Sequence, residues 1–116
     1  MVRIVNCCYL NLNHKSVVNE LLGDDINNEI TIGTSSTTLL STVNSNRKII
    51  KIYPVQYANP LALVWVRHGI GASSSNASFA LPMWRLYENI LQASRPLSVA
   101  CSEGTALLRL TVVNKS

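Results

Sequence analysis

The sequence predicts an all-β protein, a single small β-sandwich for which a jelly roll is one available form. Three observations lead there. From residue 30 onward the chain breaks into short apolar or alternating runs. Turn residues separate them at roughly 8–12-residue intervals, the spacing of sandwiches and barrels. The runs are rich in Val, Ile, Thr and Tyr, which suit a pleated, half-buried surface. Finally, 116 residues with 47% hydrophobic and 14% charged composition make one domain with a real core and fewer charges than the usual quarter or so.

Residues 1–29 read as an N-terminal arm or short helix, and 30–116 as the sandwich. In "NHKSVVNELLG", Asn13 can cap a helix, Val17, Val18, Leu21 and Leu22 can line one face, and Gly23 can end it. Two Asn and two Val weaken that helix, and an arm laid on a neighbouring subunit is an equal alternative.

The strands then follow. "EITIG" alternates, and "SSTTLLSTV" is rich in β-branched and hydroxyl residues. "NSN" at 44–46 is a turn, and "RKIIKIYPV" is a strand that Pro54 pushes toward an edge or an end, because it has no N–H for a ladder. Asn59-Pro60 starts a second turn. "LALVWVRHG" follows, then the small-residue loop "GIGASSSNA", the strand-like pieces "SFALPMW" and "LYENILQA", and "LSVACS". Ser102-Glu103-Gly104 reads as the turn of a hairpin into "TALLRLTVV". The total is about seven or eight strands.

Period-two alternation assigns faces. Ala106, Leu108, Leu110 and Val112 form a core set, and Leu97, Val99 and Cys101 form another. In residues 61–68, Ala62, Val64, Val66 and His68 share one face, and Leu61, Leu63, Trp65 and Arg67 the other. A strand apolar on both faces is covered on both sides. In a two-layer domain the second cover is an arm, a loop or another subunit.

Composition excludes several functions. The net charge of +4 is scattered, with only Arg47, Lys48 and Lys51 clustered, so the dense basic stripe of a nucleic-acid binder is missing. Cys7, Cys8 and Cys101 are an odd number without metal-ligand spacing and read as buried free thiols. No signal peptide is expected, because Asn6 and Asn11 interrupt the first apolar run, and no run approaches the roughly 18 residues of a membrane span. His14 and His68 are the two histidines, and His68 has no acid within four residues to orient it. "GIGASSS" lacks the Lys and following helix of a phosphate loop. The expectation is a non-enzyme with no catalytic, cofactor-binding or metal-binding residues.

The order "STVNSNRKIIKIYPV … NPLALVWVRHG … SFALP … LSVACSEGTALLRLTVV" resembles a group of small β-domain structural proteins of tailed bacteriophages. Their text runs approximately as "NPNR", a strand "KxIxIxN", "NPxYVRFG", a "LxPG" corner and a final hairpin "AxSxxGTAxVxVxE". The counterparts are Asn46-Arg47, Ile50 and Ile52, Asn59-Pro60, residues 64–69, Leu81-Pro82 and Gly104-Thr105-Ala106, over about residues 34–113. His68 stands where that group has Phe, and Pro82-Met83-Trp84-Arg85 replaces the Pro-Gly corner.

The resemblance implies a virion structural protein, first a head-decoration (cement) protein on the capsid surface, assembled in the host cytoplasm and bound to the major capsid protein. A tail, spike or fibre component, with glycan binding through its aromatics, is the alternative. It further implies a homotrimer, then a dimer, with no direct contact to nucleic acid or membrane. Trp65, Arg67, Trp84, Arg85 and Tyr87 are the expected interface residues, since Trp, Tyr and Arg dominate contact hot spots.

Overall fold

A computed structural model describes residues 22–116. The expected arm or helix lies mostly outside the described residues. Its last part does not: Leu22–Ile32 is one strand, so residues 22–29 belong to the sandwich rather than to an appendage.

Eight strands and no helix occur among the described residues: β1 (Leu22–Ile32), β2 (Thr37–Leu40), β3 (Arg47–Tyr57), β4 (Leu63–Arg67), β5 (Phe79–Pro82), β6 (Tyr87–Asn89), β7 (Leu97–Cys101) and β8 (Ala106–Lys115). They form two four-stranded sheets, β1-β8-β3-β6 and β2-β7-β4-β5, and every pairing is antiparallel. The first strand pairs with the eighth, the second with the seventh, the third with the sixth and the fourth with the fifth. A long hairpin rolled once around itself has that order, so the sandwich is a jelly roll.

The core is where the two inner faces meet. Sheet one contributes Ile32, Ile50, Ile52, Leu108 and Leu110, and sheet two Val64, Val66, Leu81, Leu97 and Val99, all buried. The faces expected for β8 and β7 hold, and Cys101 is buried with them. The expected hairpin between those strands does not form. β7 lies in sheet two and β8 in sheet one, so Ser102–Thr105 crosses between layers. The physical reason is the burial of both strands. All five β7 residues are buried, so β7 needs a neighbour on each side, and its apolar row meets that of β8 across the core.

Pro54 also sits differently from expectation. β3 is an interior strand of its sheet. The three-residue β6 ends opposite Ile52, so beyond that point β3 has no partner on that side among the described residues, and its register with β8 shifts between Pro54 and Gln56. A missing N–H is tolerated in such a gap.

Because all pairs are antiparallel, the connections alternate between two ends. Loops 33–36, 58–62, 83–86 and 102–105 gather at the Gly33 end, where Ala58 N–H donates to Thr105 O and Cys101 N–H to Gly33 O. Loops 41–46, 68–78 and 90–96 gather at the Arg47 end, where Asn44 N–H donates to Ser94 O. The two turns expected from Asn are formed by Asn. Asn44 Oδ1 accepts from Asn46 N–H, and Asn59 Oδ1 from Leu61 N–H, which are Asx-turns.

Candidate functional site: two apolar loop ends

Large apolar side chains are exposed at both ends of the jelly roll. At the Gly33 end these are Leu61 (86% exposed), Trp84 (74%) and Leu86. At the Arg47 end they are Leu91 (93%), Val43 (71%) and Ile70. Single exposed apolar residues are ordinary, but collections mark contact surfaces. The sheets explain why the ends carry them. The inner faces use up the strand residues, so apolar residues placed in loops have no interior left to enter.

The loops that display them are firmly held. At the Arg47 end, Arg47 is buried and has no carboxylate partner among the described residues. Its guanidinium donates to Ala93 O (2.8 Å), Thr42 O (2.8 Å), Arg95 O (3.0 Å) and Ser94 O (3.3 Å). The planar fork satisfies several loop carbonyls at once, and burial lowers its pKa from the usual value. At the Gly33 end, Tyr57 is buried, donates its hydroxyl to Leu81 O at 2.8 Å, and backs the corner that leads to Trp84. Arg85, Glu103, Asp24, Asp25 and Arg95 have exposed side chains and take part in no ion pair among the described residues.

The five expected interface residues fall into three environments. Trp84 and Arg85 project from the 83–86 loop and are exposed. Trp65 is half-buried on the outer face of sheet two, in register with Ala80 and Ala100, small residues that leave room for the indole. Arg67 is half-buried under its own loop. It donates to Asn76 O at 3.2 Å, and a Cβ at Gly69 would come within 3.0 Å of its Nε. That same loop reaches sheet two through Ala72 N–H to Ser98 Oγ (3.0 Å) and Ser78 N–H to Val66 O (2.7 Å). The second cover of the two-sided strand therefore comes partly from the chain's own "GIGASSSNA" loop.

Tyr87 turns inward. It shares its row with Ile52, stacks on Phe79 at 4.0 Å between centroids, and meets His68 Nε2 at 2.6 Å through its hydroxyl. The aromatics considered for sugar stacking, Trp65, Trp84, Tyr53, Tyr57 and Tyr87, are thus dispersed: Tyr57 in the core, Tyr87 at the seam between the sheets, Tyr53 beside Arg109 on the outer face of sheet one, Trp65 on the outer face of sheet two, and Trp84 at an end.

A shallow depression of about 250 Å³ lies by Thr31, Gln56, Ala58 and Thr105, below the usual size of a small-molecule pocket. Among the described residues no three His, Cys, Asp or Glu lie together as metal ligands, and no helix is long and apolar enough to cross a membrane. Sequence reasoning missed Leu61, Leu86, Val43, Ile70 and Leu91 as candidates. The available signal was a large aliphatic residue inside a turn segment, a position where burial is unusual.

No protein-family model and no curated protein matches the sequence. One solved structure that overlays on it is a chain from Bacillus endospore appendages, which are described as forming "a novel family of disulfide-linked pili". The overlay covers 97% of this chain and 98% of the other, at 10% identity and a TM-score of 0.43.

Proposed function

We propose that the chain is a structural subunit that works by packing against copies of itself and a larger assembly, with no chemistry of its own. The observation that carries this is the display of large apolar side chains at opposite ends of one rigid jelly roll. Contact at either end removes that surface from water, contributing roughly 25 cal/mol per Å² before ordering and association costs are deducted. The sequence resemblance supports placing it in a tailed-phage virion, with capsid decoration first. A cement role needs only that the subunit bridge shell junctions, so that rupture must expose the buried contact.

A tail or fibre component is the second reading, and the two-ended arrangement favours it. Different patches at opposite ends make a head-to-tail contact, which grows into rings or filaments. The free Arg85 and Glu103 at one end, and Asp24, Asp25 and Arg95 toward the other, allow opposite charges to meet across such a joint.

Two blocked chains test the reading. One carries Leu61→Asp and Trp84→Asp, the other Val43→Asp and Leu91→Asp. Light scattering is expected to show assembly of the wild type, none of either variant alone, and dimers when the two are mixed. Assembly of both variants to wild-type size defeats the proposal. Electron microscopy of the wild-type product separates filaments from closed oligomers. A copy number in purified particles near that of the shell subunit favours decoration over tail. With three cysteines in the chain, the measurement is made with and without reductant to separate thiol-linked from non-covalent assembly.

A further inference from the structure

At the seam between the two sheets, His68, Tyr87 and Asn89 form a closed polar cluster. His68 continues the inward alternation of Val64 and Val66 just past the end of β4 and is buried. Tyr87 and Asn89 lie in the rows of Ile52 and Ile50 on β6, the short edge strand of sheet one. The cluster thus ties an edge strand of one sheet to a central strand of the other.

Its protons can be placed. Asn89 Oδ1 accepts from Gln92 N–H at 2.7 Å, which turns the Asn89 amide nitrogen toward Tyr87. That nitrogen donates to Tyr87 Oη at 2.6 Å. The tyrosine hydrogen is then directed at His68 Nε2, 2.6 Å away, so Nε2 is the acceptor. His68 is neutral with its proton on Nδ1, and Nδ1 is buried without a partner. A second proton would have to enter on Nε2, which would turn the Tyr87 hydroxyl hydrogen away from His68 and toward the Asn89 amide, already a donor to that oxygen, so the hydroxyl would lose its acceptor.

Among the described residues no acid relieves that conflict. From the neighbouring elements, Arg95 of loop 90–96 bears on the ring with like charge. Arg67, next in sequence, is held on the other face of β4 by Asn76 O. Glu88 of β6 pairs with Lys51 at 3.7 Å on the outside of sheet one. Loop 68–78 and β5 add no titratable group besides His68 itself.

We infer that His68, Tyr87 and Asn89 are an acid-sensitive latch that holds β6 against the core, and that protonation of His68 releases β6. Among the described residues, β6 is otherwise retained by three ladder positions, the stack of Tyr87 on Phe79 and the Lys51–Glu88 pair. Release uncovers the β3 edge at Ile50, Lys51 and Ile52, an unpaired edge open to strand addition. Burial first, and Arg95 second, lower the His68 pKa below its usual 6.5. The latch therefore stays shut at neutral pH and loosens only below that value.

Hydrogen exchange by mass spectrometry on the full chain at pH 7.5 and 5.0, corrected for intrinsic rates, tests this. Peptides over residues 87–89 are expected to lose protection on acidification, by at most about tenfold for each pH unit of linked titration. Peptides over β7 should hold theirs. His68→Gln keeps an acceptor without a titrating group and should leave β6 equally protected at both pH values. Tyr87→Phe should leave β6 loose at both. Equal loosening of β6 and β7, unchanged β6 protection in the wild type, or wild-type pH dependence in His68→Gln each overturns the latch. If His68→Gln does not fold, the wild-type comparison of β6 with β7 decides alone.

Discussion

Arg47 shows how a single side chain organises a region with little regular structure. Its head group serves carbonyls from two loops at the same end of the barrel, so truncation leaves several buried acceptors without donors. Arg47→Ala is expected to cost about 3 kcal/mol in chemical denaturation, since charge-assisted hydrogen bonds contribute about 1.5–3 kcal/mol each but are not additive. Arg47→Lys should recover only part, because an ammonium cannot reproduce the fork. In the sequence Arg47 was visible as one member of a small basic cluster and as part of the Asn46-Arg47 turn that carries the resemblance, with no role attached to its head group. Apart from Thr42, its partners lie nearly fifty residues away in sequence, and no local pattern announces them. His68 was more legible, because its place in the Val64–Val66 alternation already pointed it inward. What it would meet there was not legible, because Tyr87 arrives from the other sheet.

At the scale of elements, the turns test backbone geometry directly. Gly71 has φ of 78° with open space where a Cβ would go, and Gly104 has φ of 68° with Ala58 Cβ 3.7 Å from that position. Both substitutions to Ala therefore report the left-handed backbone rather than a clash. Each is expected to lower stability by about 1 kcal/mol, read as a shift in denaturation midpoint without a change in slope. Gly104 also explains the mistaken hairpin. A glycine turn between two alternating runs serves a hairpin or a crossing between layers equally well, and only the shortage of sheet neighbours around β7 decides between them. The short β6 was likewise obscured, since "LYENILQA" reads as a longer strand than the three residues that pair.

The whole molecule has two pH limits with different origins. Tyr57 is buried and Tyr87 half-buried, and this desolvation raises both pKa values above the usual 10.0. In the unfolded chain they ionise near 10, so the stability they confer is intact below that pH and falls as pH rises above it. Tyr57→Phe should flatten this alkaline limb in pH-dependent thermal melts, at the expense of the hydrogen bond to Leu81 O. On the acid side the sign is reversed. His68 has a folded pKa below its unfolded value, so the unfolded or opened state binds the proton first. Stability is complete above about 6.5 and declines as pH falls toward the lowered value.

Period, turn chemistry and composition alone determined the all-β class, the inner faces of the last two strands, the Asx turns at Asn44 and Asn59, and a core for one domain. These depend on residues a few positions apart, where sterics and hydrogen bonding act locally. The tertiary structure decided the rolled strand order, the place of residues 22–29 in β1, the crossing at Ser102–Thr105 and the meeting of His68 with Tyr87. It also decided which loop residues stay in water. Those outcomes depend on how two sheets share one limited interior, and that competition is settled only when strands distant in sequence pack together.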